Sequence, residues 1–373
     1  MPLFDSPSTH LATSTAKNLQ NTLQDIASNV QIYPNFCIRH PDYKPFELPD
    51  EVVARFQKMP GDIQRKYLSL QLCNFIYGIY YNGSMRTALT SDRISNLLPI
   101  NLKNNTFLGV DWAFDSRLHK NNSGIGYFDP GWHILRQESD GSLVVTKGGL
   151  RLHIKRDCHL QPSQQDAIVG DSVSIRMPKK LLPYGFYTAV GNAGLNNLNH
   201  SESHGTLTRI YFNLTPEGAI AIMGTLTRLL NEIAVSFSFK VLYNPDDYGR
   251  YDSGVLYFTK KDYEAIRLVL EIVYSENQVH FQSEVPLFTK QLAPGLGLAE
   301  EPDCKFGHQE SFGMNRCQIV ANGLLETWYK GDESPDSRIN SVIQHFSLLG
   351  IDWQHAYLNT NSEDLYIPLN RFH

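Results

Sequence analysis

The stretch FSFKVLYNPDDYGRYDSGVLYF, Phe237–Phe258, decides how this chain is read. Its first half alternates as a half-buried strand does. Val235, Phe237, Phe239 and Val241 point one way, while Ser236, Ser238 and Lys240 point the other. Asn244-Pro-Asp-Asp-Tyr-Gly249 then breaks the pattern with turn-forming residues, and Gly254–Phe258 returns as an apolar strand. The pair has one core face and one polar face that carries a lysine. The loop between holds Asp246, Asp247, Arg250 and Asp252, but it is not a calcium loop. Tyr248 stands at the fifth position and Val255 where a bidentate glutamate is required, so the segment reads as a turn.

Outward from this pair the period of two continues. Strands are expected at Thr206–Phe212, Phe186–Val190 and Ser172–Arg176. Asp140-Gly141 reads as the turn between His133–Gln137 and Ser142–Thr146, and Lys147-Gly148-Gly149 leads into Leu150–Lys155. Such short connections favour an antiparallel meander over βαβ units. Thr215-Pro216-Glu217 supplies a hydroxyl cap, a first-turn proline and an acid at the positive end of a helix dipole, so a helix is expected to Glu232. Further helices fit Lys261–Ser275, Phe312–Lys330 and, after Ser334-Pro335, Asp336–Leu349. Before residue 105 the pattern is helical. Leu19–Val30 has helical spacing, Asp50 is placed to cap a helix through Lys58, and a longer helix follows Pro60 to Asn82-Gly83. Its apolar side is marked by Ile63, Tyr67, Leu70, Phe75, Ile76, Ile79 and Tyr80. The polar run Thr87–Asn105 is the natural linker. The expectation is an α+β fold, a largely antiparallel sheet with flanking helices over residues 106–373, preceded by a helical section over 1–105.

Composition narrows the function. The 373 residues are 42% hydrophobic and 19% charged with a net charge of −5, so the chain can bury a large core and lacks the basic surplus a nucleic-acid binder exploits. Five cysteines without a C-x-x-C pair read as reduced thiols of a cytoplasmic protein, and no uncharged apolar run is long enough for a membrane span. P-loop, dinucleotide-fingerprint, nucleophile-elbow and zincin motifs are all missing. His200 and His204 have helical metal-ligand spacing but sit among Asn, Ser and Gly, so no metal and no cofactor are expected.

What remains is cationic. Arg209 shares a strand face with Tyr211, and Lys240 ends its own polar row. His308 lies in a glycine-flanked loop, and Arg316 falls in the first turns of the following helix, where a cation serves the dipole poorly and an anion or carboxylate partner accounts for it better. Arg209, Arg250 and Arg316 would suit a phosphate, because guanidinium grips it with a planar fork. An ordinary lysine, pKa about 10.4, is a poor base near neutrality, so a lysine base calls for cationic neighbours such as these. Against this stands the plain alternative: the cations lie on solvated faces, neutralised by Asp246, Asp247, Asp252 and Glu310.

GFYTAVGNAG from Gly185, TRIYFNLTPEGAIAIM from Thr208, the Phe237–Phe258 stretch and ESFGMNRCQIVANGLLE from Glu310 together resemble the HopA-type type III effector family, from about Phe107 to Tyr366. The resemblance implies an α+β fold. For relatives that work beside a kinase in split lanthipeptide and thioamitide synthetases, it implies a lyase that removes phosphate from phosphoserine or phosphothreonine of a precursor peptide to leave dehydroamino acids. No residue roles come with it. Side-chain chemistry assigns Lys240 as the base, His308 or Tyr248 as the proton donor, and Arg209, Arg250 and Arg316 as the phosphate site. The partners implied are a phosphorylated peptide and a separate kinase. The rival expectation is a non-enzymatic module that binds a phosphopeptide or protein partner.

Overall fold

The computed structural model describes residues 7–90, 110–181, 183, 185–195, 205–307 and 310–369. The N-terminal section runs α1 (Pro7–Asn29), β1 (Gln31–Ile32), β2 (Ile38–His40), β3 (Tyr43–Phe46), α2 (Asp50–Phe56), α3 (Gly61–Ile76), a π-helical turn (Tyr77–Tyr81) and α4 (Arg86–Thr90). It is mainly helical, but β1–β3 form a small antiparallel sheet that helical spacing did not suggest. Asp50 is the first residue of α2 and not its cap, a place taken by Pro49. In α3 the buried stripe is Leu68, Leu72, Cys73, Phe75 and Ile76, which leaves Ile63 and Leu70 exposed. The stripe is set by the long helix α9 (Phe312–Lys330) packed alongside α3. Of the expected linker, Thr87–Thr90 end α4 and residues 91–105 lie outside the described residues.

After α5 (Trp112–Asn121) come β4 (Tyr127–Gln137), β5 (Leu143–Lys147), β6 (Leu150–Ile154), the short α6 (Arg156–His159) and β7 (Ser172–Met177). The hairpins at Asp140-Gly141 and Gly148-Gly149 form as expected, giving a four-stranded antiparallel sheet β6-β5-β4-β7. It has its own small core, including Trp132, Ile134, Leu143, Val145 and Ile175.

The main sheet has seven antiparallel strands in the order β13-β14-β10-β12-β11-β9-β8. These are β8 (Lys180–Leu181), β9 (Phe186–Val190), β10 (Leu207–Phe212), β11 (Ser238–Leu242), β12 (Gly254–Thr259), β13 (Lys290–Ala293) and β14 (Leu296–Glu300). Between them lie α7 (Pro216–Glu232) and α8 (Tyr263–Asn277), and α10 (Pro335–Leu348) follows α9. Thr215 caps α7 by accepting from the Gly218 N–H, and Ser311 caps α9 through Met314. The hairpin β13–β14, turned by Pro294-Gly295 with Gly295 at φ 75°, escaped the sequence reading. Every residue of β14 is buried, so no alternation betrays it.

The N-terminal section, the seven-stranded sheet and its helices share one core. Its buried residues run from Leu19 of α1 through the sheet to Leu369. On one face of the sheet Phe258 stacks against Tyr263 at the start of α8. On the other, Tyr211 meets Tyr81 of the π-helical turn and Phe312 of α9. Among the described residues no helix is long and apolar enough to cross a membrane.

The contact of α9 with α10 depends on Gly323. A Cβ built there would stand 2.6 Å from Val342 Cα and 2.8 Å from its backbone nitrogen. Helix propensity favours alanine over glycine by about 1 kcal/mol, but overpacking that displaces a backbone costs about 1–3 kcal/mol. Gly323→Ala is therefore expected to lower the urea midpoint, and an equal or higher midpoint would contradict this packing.

Candidate functional site

The register of the main sheet assembles the site. Arg209 of β10 lies opposite Tyr257 of β12, which lies opposite Ser238 of β11. One pleat further along, Tyr211 pairs with Val255, Val255 with Lys240, and Lys240 with Thr188 of β9. Opposed residues of antiparallel strands project to the same side. Arg209, Tyr211, Tyr257, Ser238, Lys240 and Thr188 therefore share one face. Strand β12 separates the two cation-bearing strands, so Lys240 and Arg209 meet across Tyr257 and not directly.

The contacts follow that order. Arg209 Cζ lies 5.0 Å from the Tyr257 ring centre, and Lys240 Nζ lies 5.2 Å from the same ring and 4.5 Å from that of Phe186. Arg209 is buried and forms an ion pair with Glu301, which also accepts a hydrogen bond from Lys305 Nζ at 2.5 Å. Lys240, Tyr257, Ser238 and Phe186 are half-buried, so this part of the face reaches solvent. No carboxylate among the described residues pairs with Lys240. The Thr188 hydroxyl, buried next to it, has no hydrogen-bond partner there.

The electrostatic consequence falls on Tyr257. Burial opposes an ionised phenol, but the charges of Arg209 and Lys240 and a side-chain hydrogen bond from Lys240 outweigh it. Its pKa lies below that of an ordinary tyrosine. Nearby tyrosines behave oppositely: burial pushes Tyr211 up to about 12. Burial likewise opposes the charge on Arg209, yet Tyr257, Tyr211 and Glu301 hold its pKa above the usual value.

Of the other expected site residues, Arg250 and Arg316 are engaged in structural contacts. Arg250 grips Asp252 with Nε at 2.5 Å and Nη2 at 2.8 Å. Asp252 also accepts from Asn82 and Tyr77, which pins the π-helical turn to the sheet. Arg316, almost fully buried, donates Nε to the Ala356 carbonyl at 2.7 Å, Nη2 to Leu358 at 3.1 Å and Nη1 to Asn315 Oδ1 at 2.6 Å. Burial lowers its pKa to about 10, the cost of a guanidinium that faces carbonyls. Two carboxylates close to Arg316 in the chain, Glu310 and Glu326, are engaged by Asn315 and by Lys330 and His345 respectively. Tyr248 donates its hydroxyl to the Leu242 carbonyl at 3.0 Å and packs on Phe114. His308, His200 and His204 lie outside the described residues. The Asn244–Gly249 segment is a tight turn in which the Asn244 side chain accepts from the Asp246 N–H. Among the described residues no group of three or more His, Cys, Asp or Glu is placed to hold a metal, and all five cysteines are free.

Residues 177–358 match the family model described as the HopA1 effector protein family. The matched span contains β8 to β14, α7 to α10 and most of the resemblance seen in the sequence. No curated protein matches the chain. Solved structures similar to this chain include two effector proteins. The effector protein from Pseudomonas syringae pv. tomato strain DC3000 is 15% identical, covering 94% of this chain and 100% of its own, with a TM-score of 0.45. The effector protein from Pseudomonas syringae pv. syringae strain 61 is 14% identical, covering 93% and 99%, with a TM-score of 0.45.

Tyr257 is the site residue the sequence reading passed over, because it sits in what scanned as a purely apolar strand. A tyrosine inside VLYF was the only signal, and its meaning depends on pairing with Arg209, 48 residues away in the chain.

Two measurements check these assignments. Arg209→Met removes a positive charge beside Tyr257, so ultraviolet titration should show the lowered phenol moving to higher pH, and an unchanged titration would sever the pair. Arg316→Ala leaves buried carbonyls without donors at about 1–3 kcal/mol each, so denaturant unfolding should show a large loss of stability. Full stability in that variant would free Arg316 for a ligand.

Proposed function

We propose that this chain is a metal-independent lyase that eliminates phosphate from phosphoserine or phosphothreonine of a peptide, leaving a dehydroamino acid. The observation that carries the reading is Lys240, half-buried on a sheet face against the rings of Phe186 and Tyr257 and, among the described residues, without a carboxylate to neutralise it. That is where a proton-abstracting amine has to sit: close to aromatic walls, away from an acid, and open to a substrate backbone. Lys240 takes the Cα proton, and Arg209 provides the cationic side of the same face for the phosphate. The match to the HopA1 effector protein family model over residues 177–358 agrees with the family resemblance from which the lyase expectation comes, and it bears on the family alone. The sequence carries no kinase signature, so a separate kinase supplies the phosphate, and both proteins act on one precursor peptide in the cytoplasm.

The closed ion pairs Arg209–Glu301 and Arg250–Asp252 favour the second reading, a module that holds a phosphorylated or acidic peptide without turning it over. Neutralised guanidiniums grip a phosphate dianion less tightly than free ones.

Incubation with a set of synthetic phosphoserine and phosphothreonine peptides, followed by mass spectrometry, separates the two. Elimination should appear as loss of phosphoric acid from the peptide, slowed by roughly 10²–10⁴ in Lys240→Ala. Saturable binding with every phosphate retained would leave the binding module standing and remove the lyase.

A further inference from the structure

We infer that Tyr257 is the proton donor to the departing phosphate and that Lys240 recharges it, so the two side chains form a closed proton circuit. The inference rests on the lyase reading. Tyr257 takes the place of Tyr248, whose hydroxyl is committed to the Leu242 carbonyl.

The argument starts from stoichiometry. A phosphomonoester dianion that breaks its Cβ–O bond departs as a trianion unless the bridging oxygen receives a proton. A donor is therefore needed on the same face as the base, close enough to be reset by it. Tyr257 meets both conditions. Its register partner on β10 is Arg209, and Lys240 of β11 places Nζ 5.2 Å from the centre of its ring. The groups that face it are Arg209 and Tyr211 from β10, Lys240 from β11, and Glu301 beyond β14, with Lys305 behind Glu301. Arg209 is a cation throughout and Lys240 becomes one when it takes the Cα proton, so both stabilise the phenolate that donation creates. The lowered pKa of Tyr257 is the equilibrium counterpart of that arrangement.

The step balances. The Lys240 amine takes the Cα proton, and the electron pair left on Cα forms the Cα–Cβ double bond. The Cβ–O bond breaks towards oxygen, and the Tyr257 hydroxyl protonates that oxygen, so phosphate leaves as the hydrogen phosphate dianion. Lys240 is now an ammonium and Tyr257 a phenolate, joined by a hydrogen bond. One proton passed along it restores both, with no solvent proton and no cofactor consumed. The proton removed from carbon has in effect replaced the one given to phosphate. In this scheme Arg209 faces the phosphate and, beside Tyr257, lowers the basicity of its phenolate.

The test compares pH–rate profiles on one phosphothreonine peptide for the wild type, Tyr257→Phe and a variant carrying 3,5-difluorotyrosine at position 257. The wild type should lose kcat at alkaline pH, because the donor is spent once Tyr257 ionises. Fluorination makes the phenol more acidic, so it should move that limb to lower pH while keeping shape and fold. Tyr257→Phe should reduce kcat by roughly 10²–10⁴ with KM little changed, and should lack the limb. Wild-type kcat in Tyr257→Phe, or a limb that fluorination leaves in place, overturns the inference while the lyase reading survives. A wild type that leaves every phosphopeptide intact overturns that reading itself, and the circuit with it.

Discussion

Three antiparallel strands held in one register place Arg209, Tyr257 and Lys240 on a single face, and the chemistry of the molecule depends on that pairing. Side-chain projection has a period of two, so a slip of one residue between β10 and β12 would turn Tyr257 away from Arg209. The register is secured from the opposite face. There Ile210, Phe212, Leu256, Phe258, Phe239 and Val241 are all buried, and a slip would bring them to the polar side. Packing on one face of the sheet thus specifies which polar groups meet on the other.

The elements around the sheet hold that face from behind and from the edge. Arg250 and Asp252 tie the π-helical turn to the end of β12, and Arg316 fastens the segment after α10 to α9 through two main-chain carbonyls. Glu300, fully buried at the end of β14, accepts from Lys260, Ser362, Tyr366 and the Asn359 N–H, which ties the C-terminal segment to the same sheet. These are buried charges with every strong partner supplied, the condition under which a charge is tolerated inside a protein. Two of the arginines that look functional in the sequence are therefore spent on architecture. The difference between a cation that binds a ligand and one that binds the fold lies in what stands opposite it.

Much of the framework was legible in the residues. Alternation in Phe237–Val241, the Thr215-Pro216-Glu217 start and the Asp140-Gly141 turn each express a local rule, and each element formed close to its expected bounds. Elements with weaker local signatures were missed. Strand β14 is buried on both sides and shows no alternation, and β1 to β3 are too short to show a period. The site was legible in part. Lys240 and Arg209 were identified as strand-borne cations, whereas Tyr257 was absorbed into an apolar run.

By itself, then, the amino-acid sequence determined the α+β class, most strands and helices, and the polar faces on which Lys240 and Arg209 lie, because propensity, capping and periodicity act within a few residues. Only the tertiary structure decided which strand stands beside which, that Tyr257 lies between the two cations, and that Arg250 and Arg316 are taken by Asp252 and by main-chain carbonyls. Those outcomes turn on contacts between residues far apart in the chain, and Coulomb and hydrogen-bond energies depend on distances that no local pattern encodes.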